Sequence, residues 1–583
     1  MRRTKIVCTI GPITESEDML IQLVEAGMNV ARLNLSHGDY QEHGARVERL
    51  QRLRSEMGIP LAIMLDTKGP EIRTGLLAAP IDFVTGQQLI ITTREVPGSS
   101  ECISVSYTNL HEDVCPGMTI LLDDGLIACE VQKVQGTDMI CKVCNDGTLG
   151  SRKGVNIPGA VLQLPALTEK DIADIRFAVE RKLDIIAMSF VRKASDVLEV
   201  RKILDECGGR DIQLIAKIEN QQGVANLDDI ITVSDGIMVA RGDLGVELPT
   251  EQVPVVQKTI IRKCNQLGKP VITATQMLDS MIRYPRPTRA ETSDVANSIL
   301  DGTDAIMLSG ETATGRYPIE SVRTMNSIAL QVEETLQQKF IQDQPGNRQH
   351  ITTVTGGVSH ACCDMAEDMG ATAIVTATFS GNTARMVSKH RPACVIAATT
   401  VSEKAYHQMA LVWGVTPFII PQLSSTDEMI RHSIELLCSK GILQNGDIAI
   451  ITAGVPMGMS GTTNLINVHI VGDVLIRAHG VGIQAAFGRV VVAQDAVQID
   501  DFYEGDILVC AQTDNSMMPL IRKAAGLIVE SDDLLGHSAV VGLALDIPVI
   551  LGAKQACSIL KSNMCVTMDA EHGYVYMGKT KAV

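Results

Sequence analysis

Apolar residues in the first 340 positions fall into two alternating patterns. One is a short apolar run closed by polar or charged side chains, as in Val30-Ala-Arg-Leu-Asn-Leu-Ser36 or Ile215-Ala-Lys-Ile-Glu219. The other spaces apolar residues by three and four, as with Met19, Leu20, Leu23 and Val24, or Val224, Leu227, Ile230 and Ile231. The first pattern is that of a strand and the second that of one helix face. Strands are therefore predicted at 5–10, 30–36, 61–67, 184–190, 213–218, 236–240, 270–275 and 305–309. Helices are predicted between them, including single helices at 16–27 and 222–234, and a last one at 318–338. Parallel βα units repeated in this number close into a (β/α)8 barrel.

The rhythm breaks once. Over residues 70–165 it gives way to short alternating strands separated by Pro116-Gly, Asp123-Asp-Gly and Asn145-Asp-Gly turns, which predicts an inserted all-β domain. It resumes at Leu167-Thr-Glu-Lys-Asp171, where Thr168 and Asp171 are placed to cap a helix start. The expected organisation is a barrel built from 1–69 and 166–340 with a lid at 70–165. An α/β domain at 341–473 and a last domain at 474–583 follow. The lid is connected at Gly69-Pro70 and Pro165, so it sits at the exit end of the third strand and can close over it.

The strand exits carry the candidate chemistry, because catalytic groups of parallel α/β folds gather there. They are Arg32/Asn34/Ser36, Asp66/Thr67, Lys217/Glu219, Arg241/Asp243, Thr275/Gln276 and Ser309/Glu311. Period-two alternation puts Arg32, Asn34 and Ser36 on one face. Carboxylates from neighbouring strands, Glu219 and Asp243, suit a hard divalent cation such as Mg²⁺, and the Lys and Arg beside them suit phosphate.

Beyond a polar linker at 342–349, strands are expected near 373–378, 395–399, 416–420, 447–452 and 467–471. Two Gly/Ser/Thr loops, 378–383 and 454–464, expose backbone N–H and hydroxyl groups of the kind that hold phosphate. Gly573-Tyr-Val-Tyr-Met-Gly-Lys-Thr580 fits the P-loop pattern letter for letter, but Tyr-Val-Tyr is a strand pattern and no helix follows it, so no nucleotide site is expected there.

Composition narrows the class. The 583 residues exceed one core, and no apolar run is long enough to span a membrane. A formal net charge of −17 argues against a nucleic-acid partner. Fifteen Cys, scattered without a framework, suit a reducing, cytoplasmic setting. Cys141-Lys-Val-Cys144 has no second pair with which to bind zinc.

Over about residues 1–473 the chain resembles the pyruvate kinases. The likeness rests on Arg32-Leu-Asn-Leu-Ser-His37, Leu65-Asp-Thr-Lys-Gly-Pro-Glu-Ile-Arg-Thr74, Lys153-Gly-Val-Asn-Ile-Pro158, Lys217-Ile-Glu-Asn220, Ala240-Arg-Gly-Asp-Leu-Gly245, Ala274-Thr-Gln-Met-Leu278 and Met307-Leu-Ser-Gly-Glu-Thr312. It implies transfer of the phosphoryl group of phosphoenolpyruvate to ADP, giving pyruvate and ATP. Carried onto these positions, Glu219 and Asp243 would hold Mg²⁺ or Mn²⁺, and Asn34, Ser36, Asp66 and Thr67 would hold K⁺, with Glu71 marking the K⁺-dependent type. Lys217 would neutralise the transferring group and the enolate, and Arg32 and Arg73 would clamp phosphate. Gly242, Asp243 and Thr275 would contact substrate, and Asn34, His37, Arg73 and Lys153 would face nucleotide. Thr275 or Ser309 would deliver the proton to the enolate through water. Thr378, Ser380, Gly381, Asn382, Thr383 and Gly461 match where the family binds phosphorylated effectors. No basic residue lies in those loops, so a sugar monophosphate or AMP is expected rather than fructose 1,6-bisphosphate. A homotetramer is the family's expectation.

The last domain resembles the swivelling phosphohistidine domain of phosphoenolpyruvate-using phosphotransferases, with His537 at the phosphohistidine position. Leu535 stands where a Thr is usual and no ATP-grasp partner is present, so a structural or regulatory part is expected. The alternatives are a Mg²⁺-enolate aldolase or lyase, disfavoured by the lid and the Lys153 segment, and a catalytically dead metabolite sensor, disfavoured by the complete set Arg32, Lys217, Glu219, Asp243 and Thr275.

Overall fold

Eight short strands, buried over most of their length, set the frame: β1 (Lys5–Thr9), β2 (Val30–Asn34), β3 (Ala62–Asp66), β4 (Ile185–Met188), β5 (Gln213–Ile218), β6 (Gly236–Ala240), β7 (Val271–Ala274) and β8 (Ala305–Leu308). They close in the order β1-β8-β7-β6-β5-β4-β3-β2, and every pairing is parallel. The computed structural model describes residues 2–340, 353–423, 425–454, 463–472, 474–493 and 501–580. The chain falls into two compact units. The first holds everything described up to residue 340, together with 378–393 and 400–419, and the second holds the rest.

Alternate residues of the barrel strands fill its interior, among them Val7, Met64, Ile215, Met238 and Met307. Ala410 and Leu411, from the 400–419 segment of the same unit, complete that core. The intervening helices cover the outside with Leu20, Leu23, Val47, Leu50, Ile260 and Ile261. Their ends follow the local chemistry. Ser16 caps Glu17–Ala26 by accepting from Met19 N–H, and Gly27 closes it at φ 126°, a conformation that favours glycine. Thr168 and Asp171 form a reciprocal capping box on Glu169–Glu180, as the spacing predicts.

The single helix expected at 222–234 is in fact two, Gln221–Ala225 and Leu227–Val233. The break is at Asn226, whose side-chain Nδ2 donates to the Arg192 carbonyl oxygen at 2.8 Å instead of facing solvent. Sequence periodicity cannot register such a tertiary contact, because the apolar face runs on in phase across it.

The inserted segment is all-β apart from the four-residue helix Leu110–Asp113. Its main sheet has six strands around Phe83, Ile91, Ile120, Cys129 and Val143. Its hairpin at Asp123-Asp124-Gly125 has three successive positive φ values, the backbone that tight hairpins require.

In the second unit, Ala373–Ala377 lies between Val395–Thr400 and Ile448–Gly454, parallel to both, and Thr463–Ile470 adds antiparallel to the latter. The chain then builds an eight-stranded sheet whose parallel part is Ala485–Ala493, Ile507–Cys510, Gly526–Val529 and Val549–Leu551. Helix His537–Leu545 joins the last two, with Gly536 as its N-cap. Tyr574–Met577 is a strand, so the P-loop-like letters at 573–580 do not form a phosphate loop.

Candidate active site

Parallel register brings the predicted groups to one end of the barrel. Asn34 pairs with Asp66 across β2 and β3, and the Leu35 N–H donates to the Asp66 carbonyl oxygen. The strand exits of β5 and β6 deliver Glu219 and Asp243, and those of β7 and β8 deliver Thr275 and Ser309. Ser36, expected on the strand face with Arg32 and Asn34, lies past the end of β2, where its N–H donates to the Asn34 side-chain oxygen at 3.1 Å.

At the centre is a buried charge cluster. Asp66 is 1% exposed and receives Arg32 Nε at 2.6 Å on one oxygen and Lys217 Nζ at 3.2 Å on the other. Lys217 Nζ also lies 2.8 Å from Glu219 Oε1. Arg32 Nη1 donates to Thr9 Oγ1 at 2.9 Å. Burial alone would raise the Asp66 carboxyl, but Arg32 and Lys217 outweigh it and hold it below the usual range. Burial alone would lower the Lys217 ammonium, yet Asp66 and Glu219 carry it above its ordinary value, so it stays charged.

Glu219 and Asp243 are pushed the other way. Burial raises the Glu219 carboxyl, Lys217 only partly offsets this, and Asp243 raises it further. Asp243 is raised by the same burial. A pair of buried carboxylates held above their normal range, with one lysine between them and a third acid, is short of positive charge. That deficit fits a divalent cation. Among the described residues no group of three or more metal-ligating side chains occurs. A two-carboxylate site nevertheless suits Mg²⁺, which keeps waters and takes its remaining ligands from substrate.

A cleft of about 250 Å³ opens between barrel and lid, and its wall includes Arg73, Lys153, Phe190, Asn220 and Asp243. Arg73 is held by Glu71 Oε2 at 2.6 Å and donates to the Arg152 carbonyl oxygen. Lys153 pairs with Asp123 at 3.0 Å. Glu71 is thus, in this structure, the partner of a cleft arginine. His37, expected to face nucleotide, is exposed and is not on the cleft wall; its carbonyl oxygen meets His43 Nε2 at 2.7 Å. Arg241 is taken up by Asp294 at 2.7 Å and by the Ala274 and Thr275 carbonyl oxygens, so it braces the β7 exit.

Thr275 and Gln276 sit at φ 67° and 55°, backbone that non-glycine residues seldom adopt. The Thr275 hydroxyl accepts from the Gly242 N–H at 2.7 Å and donates to the Ala274 carbonyl oxygen at 2.6 Å. Glu311, 2% exposed, holds the neighbouring loops by accepting from Leu278 N–H and Ser309 N–H.

Sequence reasoning passed over several of these groups. Ser189 and the Phe190 N–H, at the exit of β4, touch Lys217 and Glu219; the only signal was a Ser interrupting the apolar run 185–191. Arg192 donates to the carbonyl oxygens of Leu162, Leu164 and Pro165 in the returning lid connection. Asp171 caps its helix with one oxygen and accepts the Gly69 N–H with the other at 2.9 Å, so one side chain serves both lid connections. Asn156 of the lid donates to Glu247 at 2.9 Å across the cleft.

In the 378–383 loop, Gly381 is left-handed at φ 79° and starts helix Asn382–Ser388. Arg385 Nη1 reaches the Ser380 carbonyl oxygen at 3.2 Å, so a basic residue does adjoin this loop. Gly461 lies outside the described residues. In the last domain His537 Nδ1 is 3.0 Å from Thr513 Oγ1 and Nε2 is 3.2 Å from Asn515 Oδ1.

A closed parallel barrel with a buried lysine between carboxylates at its C-terminal end, under a β-domain lined by arginine and lysine, defines a barrel enzyme for phosphorylated anionic substrates. Residues 1–322 match the family described as pyruvate kinase, barrel domain, 357–469 match pyruvate kinase, alpha/beta domain, and 502–573 match PEP-utilising enzyme, mobile domain. The chain is 51% identical over 581 residues to a pyruvate kinase of Geobacillus stearothermophilus, covering 99% of each chain. It is 52% identical over 587 residues to one of Bacillus licheniformis, covering 100% of each. A crystal structure of a pyruvate kinase from Cryptosporidium parvum superposes with a TM-score of 0.75 at 41% identity, covering 80% of this chain and 96% of that one. The chain belongs to the pyruvate kinase family, with the phosphohistidine-type domain appended.

Proposed function

We propose that this enzyme, a kinase acting on phosphoenolpyruvate, ADP, pyruvate and ATP, works through the Lys217 cluster with Mg²⁺ (or Mn²⁺) at Glu219 and Asp243 and K⁺ near Asn34, Ser36, Asp66 and Thr67. The observation that carries this is the buried ammonium of Lys217, held between Asp66 and Glu219. Phosphoryl transfer needs placed charge more than covalent chemistry. Bound at the carboxylate pair, the divalent cation would neutralise phosphoryl and enolate oxygens. Lys217 supplies a fixed positive charge in a dry site, where it counts most. Arg32, locked by Asp66 and Thr9, and Arg73 offer guanidinium groups to phosphate. Gly242 and Asp243, at the start of helix Arg241–Glu247, face the carboxylate-bearing substrate. Lys153 lies on the cleft wall suited to nucleotide.

For the enolate proton the structure favours Ser309 over Thr275. The Thr275 hydroxyl hydrogen is committed to the Ala274 carbonyl oxygen, whereas among the described residues Ser309 Oγ has no such bond. The lid at 70–165 closes over the site and keeps water from the phosphoryl group. A phosphorylated effector, a sugar monophosphate or AMP, binds the 378–383 loop, with Arg385 beside it. The division into barrel, lid, α/β domain and last domain, a homotetrameric assembly and a cytoplasmic setting complete the reading; no described helix is long and apolar enough to cross a membrane.

The test is pyruvate formation with K⁺ present or replaced by a large organic cation, and with each effector class titrated. Activity that needs ADP and K⁺ and is raised by a monophosphate supports the reading. Indifference to K⁺ removes the monovalent site, and response to the bisphosphate alone removes the effector assignment.

A further inference from the structure

The exits of β1 and β4 are the two strand ends to which the sequence assigned no function. The structure puts two consecutive groups from the β4 exit on the catalytic pair. Ser189, 3% exposed, accepts a hydrogen bond from Lys217 Nζ at 2.9 Å. The next residue, Phe190, donates its N–H to Glu219 Oε2 at 2.5 Å. The Ser189 hydroxyl itself donates to the Thr67 carbonyl oxygen at 2.7 Å, with Asp66 Oδ1 at 3.2 Å, and the Ser189 N–H donates to Thr67 Oγ1.

We propose that Ser189 is the positioning residue of Lys217: it fixes the direction of the ammonium, with Phe190 steadying the Glu219 partner. This rests on the functional reading of Lys217 given above. An ammonium has three N–H donors, and here they meet Asp66 Oδ1, Glu219 Oε1 and Ser189 Oγ. Two of those partners are charged, and the carboxylates also have other tasks: Asp66 holds Arg32, and Glu219 belongs to the cation pair. Ser189 alone is neutral, and its own hydrogen is committed to a backbone oxygen. Its lone pair toward Lys217 keeps one direction for as long as that bond to the Thr67 carbonyl oxygen stands.

The backbone is built for this. Phe190 adopts φ 54°, a left-handed conformation costly for a bulky residue, and it places the N–H on Glu219. The lid connection passes close to the same peptide. A side chain at Gly69 would lie 2.7 Å from the Phe190 ring and 2.9 Å from Ser189 Cβ. Gly69 is itself at φ 75° and is held by Asp171.

The experiment compares wild type, Ser189→Ala, Ser189→Cys and Lys217→Met in the full chain. Loss of one bond to a charged group in a dry site, or an ångström of misplacement, lowers kcat roughly tenfold to a hundredfold. For Ser189→Ala that fall is expected with KM for phosphoenolpyruvate and Mn²⁺ affinity within about threefold, and with thermal unfolding lowered by no more than a few degrees. Ser189→Cys fills the same space but is a poor acceptor, so it is expected to be as impaired as the alanine variant. A crystal structure of Ser189→Ala should show Lys217 Nζ displaced.

Full kcat in Ser189→Ala, or full recovery in Ser189→Cys, overturns the proposal. So does an alanine-variant structure in which Lys217 Nζ has not moved, and that result is independent of turnover. A wild type that makes no pyruvate refutes the functional reading of Lys217 instead.

Discussion

Replacing Asp66 by Asn changes almost nothing in shape and removes the one charge that joins Arg32 to Lys217. Asp66 is 1% exposed, with Arg32 Nε at 2.6 Å and Lys217 Nζ at 3.2 Å. At an effective dielectric of about 20, each contact is worth roughly 5–6 kcal/mol before desolvation. Most of that is offset by burial, but removing one partner leaves the others stranded, and such losses run to about 3–5 kcal/mol. For a unit of this size that is a fall of roughly 4–6 °C in its unfolding transition. The assay is calorimetry of the protein without ligands, with Glu17→Gln as control. Glu17 pairs with Arg52 at 2.5 Å, but both are half exposed, so less than about 1 kcal/mol is expected there. The pH dependence has a definite sign. Asp66 is held below the usual carboxylate range despite its burial, because Arg32 and Lys217 outweigh it. Its contribution is present above the ordinary carboxylate pKa and is lost as pH falls through the lowered one. The gap between wild type and Asp66→Asn should therefore be full at neutral pH and shrink in acid. A shift no larger than the control's, or a gap that widens in acid, would refute the reasoning.

Mg²⁺ should stabilise the enzyme more at pH 8 than at pH 5.5. Glu219 and Asp243 are raised by burial, so what they contribute without metal is present below the ordinary carboxylate pKa and lost as pH rises through the raised ones; an Mg²⁺-induced rise in melting temperature that is flat with pH, or larger in acid, contradicts this. Arg192→Ala removes donors from the Leu162, Leu164 and Pro165 carbonyl oxygens, and limited proteolysis should then cut the returning lid connection several-fold faster, with an unchanged cutting rate counting against the brace. Thr168→Ala should cost about 1 kcal/mol as a lost cap, read as a fall of about 1 °C in the same calorimetric transition, and no fall would mean that Asp171 holds the helix start alone.

The barrel was legible because its strands are apolar runs and its helices carry one apolar face, so period alone separates them. The helix break at Asn226 was not, since it depends on a side chain crossing to Arg192. Lys217, Glu219 and Asp243 could be read from charge at strand exits. Ser189 could not, because a lone serine inside the apolar run 185–191 carries no charge to mark it until Lys217 is seen to donate to it. Arg241 misled for the opposite reason: charge at a strand exit marks a place, while Asp294, fifty-three residues on, decides which way the guanidinium is spent. His37 sat in a telling motif yet lies off the cleft wall.

The central claim is that Lys217 acts on the reacting group and does not merely hold the fold. The most direct measurement is pyruvate formation from phosphoenolpyruvate and ADP by Lys217→Met, alongside Mn²⁺ binding to the same protein. The account expects kcat to fall by at least about a thousandfold while Mn²⁺ still binds at Glu219 and Asp243. A variant that binds Mn²⁺ and turns over within tenfold of wild type would contradict it.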